Sequence, residues 1–386
     1  MEDFRLDLDR LREDLKGIEA ARETQGIDEP LARARSGSGL TPLEMATLWA
    51  SPKLDTESLY ELALQLRRQR PVRLETFSPL YMTNTCDAEC RMCGMRRDNQ
   101  ALRRATADLA EVEHQLHVLS RRGMHAVSLL TGEYGSERRP WALGYVNRAL
   151  LATQRLEFGH VLINVGSIDE DEFETLLAGV ERREDGSVVP KLTMCTFQET
   201  YSRDHYTKFM GQDPTNPRAD YERRLSNFDR SFRAGMRVAN PGILVGLNPD
   251  LCLEMTALAL HARHLLGLGM EVYLSVPRLR QIAGSHNQRG ADDDQFVRLV
   301  SLLTVGLPEC KAVLTTREPI HIQHRLVPLV HVLSAGSAAV TPYSEDGARF
   351  PLEASQFEVI DQRPFEHILA EHLPERSPIV NFDPPG

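Results

Sequence analysis

The sequence predicts an α/β protein built as a TIM-type parallel (β/α)8 barrel, with a helical N-terminal extension and an irregular C-terminal tail. Three observations predict it. Eight short β-rich runs follow one another from residue 74 onward. Most are separated by amphipathic helical stretches. Polar residues gather just after each apolar run, where a barrel of this kind keeps its chemistry.

The eight runs are VRLETFSPLYM, AVSLLT, HVLINV, KLTMCTF, GILVGL, EVYLSV, KAVLTT and HVLSAG. Between the first two, Leu109, Val112, Leu116 and Leu119 repeat at helical spacing and the pattern stops at Gly123. Tyr221, Leu225, Phe228 and Phe232 do the same and stop at Gly235. A sandwich would need a turn every dozen residues, and those turns are missing. The last crossover, Pro319 to Leu329, is short, which leaves closure by the eighth strand open.

Three regions follow: residues 1–72 as a helical extension, 73–340 as the barrel, and 341–386 as a tail packed over it. In the extension, Phe4, Leu8, Leu11, Leu15 and Ile18 form one apolar stripe. The segment Ser36 to Gly39 breaks the pattern. Thr41-Pro42-Leu43-Glu44 then reads as a helix start with a capping box, and a further helix runs from about Asp55 to Arg68, ahead of Pro71. There is no internal repeat and no long low-complexity tract.

The strand ends supply the candidate rim. Asn84 and Thr85 follow the first run, and Gly132, Glu133 and Tyr134 the second. Asn164, Gly166 and Ser167 end the third, and Gln198 and Glu199 the fourth. Asn248, Pro277-Arg278, Arg317-Glu318 and Ser334 close the series.

Bulk properties narrow the function classes. A net charge of −10 disfavours nucleic acid or an anionic membrane as partner. No apolar run reaches the roughly 18 residues of a spanning helix. The charged opening MEDFRLDLDRLREDL is unlike a signal peptide, so the chain reads as soluble and cytoplasmic. Neither a Walker-type loop nor GxGxxG occurs, which removes support for nucleotide-phosphate chemistry.

The strongest signal is Cys86-x3-Cys90-x2-Cys93, directly after the first strand. Thiolates suit iron–sulfur clusters, and closely spaced cysteines commonly hold them. Three ligands hold three irons of a [4Fe–4S] cluster and leave the fourth without a protein ligand. An open metal position is where a substrate or cofactor binds. Zinc is the competing metal, but a structural zinc site wants four ligands. Cys195, Cys252 and Cys310 stand alone and read as apolar fillers. His321, His324 and His331 invite a metal reading, yet no carboxylate completes a convincing set. The run Asp292 to Asp294 reads as a solvated helix start.

The CX3CX2C loop after the first barrel strand resembles the radical S-adenosylmethionine (SAM) superfamily. There the open iron chelates SAM, one electron cleaves the sulfonium, and the 5′-deoxyadenosyl radical takes hydrogen from a substrate. The likeness extends over nearly the whole barrel and the tail. FSPLYMTNTCDAECRMCGMRRDN, LTGEY, TMCTFQETYSRDHYTKFMG, NPGILVGL, LSVPRLR, VLTTREP and LSAGSAAVTPY resemble the aromatic amino-acid lyases. These comprise the tyrosine lyases of thiamine biosynthesis and the tryptophan lyases that make 3-methyl-2-indolic acid for thiopeptide antibiotics. The set of segments resembles the tryptophan branch most closely.

That resemblance implies roles. Cys86, Cys90 and Cys93 hold the cluster. Gly132 and Glu133 lie along the methionyl amino group of SAM, Ser167, Gln198 and Glu199 near its ribose and methionine, Arg224 on its carboxylate, and Leu247 on its adenine. Arg317 grips the carboxylate of a free aromatic L-amino acid, while Ser334 and Tyr81 hydrogen-bond around it. The physics agrees for Arg317, since an arginine at a strand end needs an anion and its planar fork suits a carboxylate. The resemblance also implies an electron donor such as flavodoxin or ferredoxin. In both branches the substrate amino group loses hydrogen and the amino-acid backbone fragments. The tryptophan branch moves a one-carbon fragment to indole C2, whereas the tyrosine branch releases p-cresol and leaves dehydroglycine.

One reading from another class stays open, and one related class is ruled out. Related barrels in hydrogenase assembly share the CGxRRDN phrasing, so a non-catalytic Fe–S scaffold is the alternative from another class. A class that makes carbon monoxide and cyanide at a second cluster needs a further cysteine group, and after Cys93 only three isolated cysteines remain.

Overall fold

The computed structural model describes residues 2–189, 191–285, 290–336 and 351–372, and the backbone of 379–380. It contains a closed parallel barrel of eight strands: β1 (Leu74–Tyr81), β2 (Ala126–Leu130), β3 (His160–Asn164), β4 (Lys191–Cys195), β5 (Val238–Asn240), β6 (Glu271–Ser275), β7 (Lys311–Thr315) and β8 (Val332–Ser334). Neighbours pair in chain order, and β8 pairs with β1 through Glu75–Val332 and Phe77–Ser334, so the short last crossover does close the ring. A two-stranded hairpin, Glu181–Arg182 with Val188–Val189, sits outside the ring before β4.

One strand lies elsewhere than the sequence predicts. The fifth run, GILVGL, contributes only isolated bridges, Gly242 to Ser275 and Val245 to Arg278. The strand itself is the preceding Val238–Asn240. Pro241 follows it and has no N–H for a ladder, so regular pairing gives way to isolated bridges there. The apolar residues after it, such as Leu244, roof the barrel instead. The helix expected from Tyr221 to Gly235 is likewise two short pieces, Tyr221–Leu225 and Asn227–Arg233, joined at Ser226.

The strand period of two sorts the barrel interior into layers. At the N-terminal end, Lys311 and Lys191 pair with Glu271, Lys311 also with Glu75, and Tyr273 donates to Glu75 at 2.9 Å, forming a charged plug. Above it Phe77, Ala126, Leu162, Val238, Val313 and Val332 pack on Tyr273 as one apolar layer. The next inward positions are Ser128, Asn164, Cys195, Asn240, Ser275, Thr315 and Ser334, and these floor a cavity that opens at the C-terminal rim.

Four helices precede the barrel: α1 (Leu8–Ala21), α2 (Asp28–Ser36), α3 (Pro42–Ala50) and α4 (Thr56–Gln69). The predicted capping box starts α3, where Thr41 accepts from the Glu44 N–H at 3.2 Å and Glu44 accepts from the Thr41 N–H at 2.7 Å. Asp55 caps α4. These helices lie against the barrel helices Leu251–Gly267 and Asp293–Gly306. Asp292 caps the second of them, as the acidic run implies for a helix start. Arg67 fastens α4 to the barrel by donating to the Leu329 carbonyl at 2.8 Å. No helix among the described residues is long and apolar enough to cross a membrane.

Candidate active site

The cysteine loop leaves β1 and folds back over the rim. Asn84 shapes it, donating to the Arg103 carbonyl at 2.9 Å and accepting from the Ala105 N–H at 2.7 Å. Gly132, after β2, lets that strand end reach the loop. A Cβ there would stand 2.1 Å from the Thr85 carbonyl oxygen and 2.7 Å from the Cys86 Cα, so only glycine fits. Gly166, at φ +86°, leaves room for the Glu133 side chain, which a Cβ would meet at 2.4 Å.

Cys86, Cys90 and Cys93 line one pocket of about 420 Å³, its mouth included. Burial pushes the Cys86 thiol up to about 11 and the Cys90 thiol up to about 12. Bare thiolates are therefore unfavourable there, and a bound cation is what makes them stable. The surroundings suit thiolate sulfur. Cys86 Sγ accepts from the N–H groups of Ala88 at 3.4 Å and Glu133 at 3.3 Å, and Gln356 donates to Cys93 Sγ at 3.6 Å. Three thiolates on one short loop, lining one pocket, fit a [4Fe–4S] cluster held at three irons.

Glu133 and Arg224 form a buried pair in the same pocket, 3% and 4% exposed, with Nη1 to Oε2 at 3.0 Å. Glu133 also accepts from the Ser167 N–H at 3.0 Å. Of the adjacent Arg223 and Arg224, it is Arg224 that turns inward, while Arg223 pairs with Asp169 at 2.7 Å near the surface. Glu199 sits at φ +68°, a strained conformation for a non-glycine residue, held by Leu244 N–H on its carbonyl at 2.9 Å. Gln198 is buried beside it, and its Nε2 has no hydrogen-bond partner among the described residues.

Sequence reasoning missed Arg218. It lines both the cluster pocket and the main cavity and pairs with Glu199 at 2.5 Å, while its buried Nε lacks a hydrogen-bond partner among the described residues. Arg218 lies in the loop GQDPTNPRAD, which has no periodicity to mark it.

The main cavity, about 1040 Å³ with its mouth, joins the cluster pocket at Cys93. Arg317, Ser334 and Tyr81 all line it. The neighbour Glu318 does not pair with Arg317; Arg278 and Arg280 occupy it instead. Burial lowers Arg317 to about 10, against the opposing pull of Tyr81 and Glu199. Tyr81 donates to Gln356 at 2.9 Å, and burial raises its hydroxyl pKa. Gln356 and Phe357 were also missed, since they come from the tail and enter the cavity only through folding. Cys195 is no mere filler, because it lines the cavity floor and donates to Asn240 at 3.2 Å.

Not every expected residue reaches the cavities. Leu247 is buried but lines neither, and Leu244 takes the wall position. Ser167 and Gln198 stand behind the walls, Ser167 touching Glu133 through its backbone. Asn248 turns away to Glu254 at 2.7 Å. The segment LSAGSAAVTPY is described only to Gly336, and the rest lies outside the described residues.

Comparison with known proteins agrees with this geometry. The 2-iminoacetate synthase of Escherichia coli (strain K12) is 28% identical over 333 residues, covering 84% of this chain and 80% of the relative. The Salmonella typhimurium counterpart is 26% identical over 306 residues, covering 77% and 75%. Among solved structures, HydG, a maturase of the [FeFe]-hydrogenase, superposes with a TM-score of 0.79 at 25% identity, covering 95% of this chain and 79% of that one. Over most of its length the chain is similar to 2-iminoacetate synthase and HydG, which supports a radical SAM lyase of that type. Methylornithine synthase (PylB) shares the fold, with a TM-score of 0.66 at 17% identity. No family model matches the chain. This similarity implies a [4Fe–4S] cluster and SAM by homology, and the three-cysteine pocket fits the first of them.

Proposed function

We propose that this radical SAM lyase cleaves a free aromatic L-amino acid whose carboxylate is held by Arg317. One observation carries the reading: among the described residues Arg317 has no carboxylate partner, although it lines a cavity continuous with the cluster pocket. A cation so placed is costly without an anion, and its planar fork fits a carboxylate with two parallel hydrogen bonds.

When bound, the cluster and SAM supply a 5′-deoxyadenosyl radical that takes hydrogen from the substrate amino group. The chain's own residues decide which hydrogen that is. Arg317 fixes the carboxylate, and Ser334 and Tyr81 line the same cavity as hydrogen-bonding groups. Phe357 holds the guanidinium plane, with the Arg317 Cζ 3.2 Å from its ring centre. Arg218, Arg224, Glu133 and Glu199 face the cluster side with groups of both signs, which suits a zwitterionic methionine moiety. A small displacement of the substrate would misdirect the radical.

We place tyrosine first as that amino acid. The curated relatives are 2-iminoacetate synthases, and 2-iminoacetate is the dehydroglycine left when p-cresol departs. Tryptophan is the second reading, favoured by the segments LTTREP and PLY and by their resemblance to the thiopeptide branch. Reconstituted anaerobically with SAM, a reductant and either amino acid, the protein is expected to yield 5′-deoxyadenosine and p-cresol from tyrosine by mass spectrometry. Production of 3-methyl-2-indolic acid from tryptophan selects the second reading. Turnover of neither amino acid by cluster-loaded protein overturns both.

A further inference from the structure

We infer that His324, Glu371 and His372 form a zinc-type divalent metal site that ties the C-terminal segment to the outside of the barrel. His324 lies on the helix Ile320–Leu326, between β7 and β8. Glu371 ends the helix Phe365–Glu371, and His372 follows it. One ligand atom from each lies within 4.8 Å of the other two. His324 Nε2 is 3.0 Å from a Glu371 oxygen, and the two imidazole rings meet edge to face at 5.2 Å.

A plain ion pair accounts for His324 and Glu371 but not for His372. That residue is only 7% exposed, and its Nε2 has no hydrogen-bond partner among the described residues. A buried ring nitrogen without a partner is unfavourable unless something accepts its proton or its lone pair. The other Glu371 oxygen accepts from Arg363 at 2.6 Å. Arg363 is in turn held by Asp361 at 2.7 Å. Such an outer hydrogen bond orients a ligating carboxylate. Two imidazoles and one carboxylate suit zinc, whereas magnesium and calcium prefer oxygen alone.

The other histidines of the sequence cluster go elsewhere. His321 pairs with Asp293 at 2.9 Å, and His331 lies 3.2 Å from Arg67. The missing carboxylate comes from about 47 residues further along the chain, out of reach of any local motif. The consequence is mechanical. Gln356 and Phe357, which touch Cys93 and Arg317, belong to the described stretch 351–372 that this site would fasten at its far end.

The test uses cluster-loaded protein prepared anaerobically, so that the cluster cysteines are occupied. Zinc chloride is added, the protein is dialysed against metal-free buffer, and zinc and iron are measured together by mass spectrometry. We expect one zinc to stay on each wild-type chain, and His324→Ala and His372→Ala to weaken zinc binding by roughly tenfold or more with iron unchanged. His372→Gln serves as the gentler variant should alanine impair folding, and His321→Ala is expected to bind as wild type. A wild-type chain that keeps no zinc, or a His324→Ala/His372→Ala double variant that keeps as much, overturns the inference.

Discussion

The guanidinium carbon of Arg317 stands 3.2 Å from the centre of the Phe357 ring, on the wall of the cavity that holds Cys93. The ring belongs to the tail, so the barrel supplies the charge and the tail supplies its platform. A stacked guanidinium keeps its plane while its N–H groups stay free for a ligand. Arg317→Lys keeps the charge and loses both the stack and the fork. We expect kcat/KM to fall on the order of 100-fold, with iron content and SAM binding retained. Parallel loss of iron would make the residue structural.

Glu133 and Arg224 are a buried pair whose breaking leaves one charge alone. Glu133→Gln is expected to cost about 3 kcal/mol of stability, read as a lower midpoint in denaturant, and to weaken SAM binding. An unchanged midpoint would mean that water reaches Arg224.

Gly132→Ala places a methyl group against the Thr85 carbonyl and the Cys86 backbone. The barrel strands are untouched by that change, so far-UV circular dichroism should stay near wild type. Iron incorporation on reconstitution is expected to collapse. Full iron loading would show that the loop has slack the structure does not display.

Gln356 donates to Cys93 Sγ at 3.6 Å. Hydrogen bonds to cluster sulfur favour the reduced, more negative state. Gln356→Ala is therefore expected to lower the cluster's reduction potential, measured by potentiometric titration followed by electron paramagnetic resonance.

His261 is buried, with Tyr201 on Nδ1 at 2.9 Å and Phe4 stacked at 4.3 Å, and burial lowers its pKa to about 3. Below the unfolded value near 6.5 the unfolded chain takes a proton that the folded chain refuses. Stability is then complete above about pH 6.5 and falls as the pH drops toward 3, by up to about 1.4 kcal/mol per pH unit from this group. His261→Gln should flatten that slope in denaturant titrations between these limits.

Much of the barrel was legible because its strands are continuous apolar runs with period-two interiors. The fifth was misplaced because GILVGL is more apolar than RVAN, and Pro241 decided the matter through the backbone instead. The cysteine triad was legible because its ligands are close in sequence. Arg317 and Ser334 were legible as strand-end polar groups, and Tyr81 only through the family resemblance. Arg218, Gln356 and Phe357 were not, since they sit in aperiodic segments and reach the cavity only through the packing of the tail and the rim loops. His324 and Glu371 meet for the same reason.

The central claim is that three thiolates leave one iron of the cluster open to SAM. Electron paramagnetic resonance of the reduced, iron-loaded protein, recorded with and without SAM, tests it most directly. A signal that shifts in g-values when SAM is added supports the account. A spectrum identical in both samples, from protein with a full four irons per chain, would contradict it.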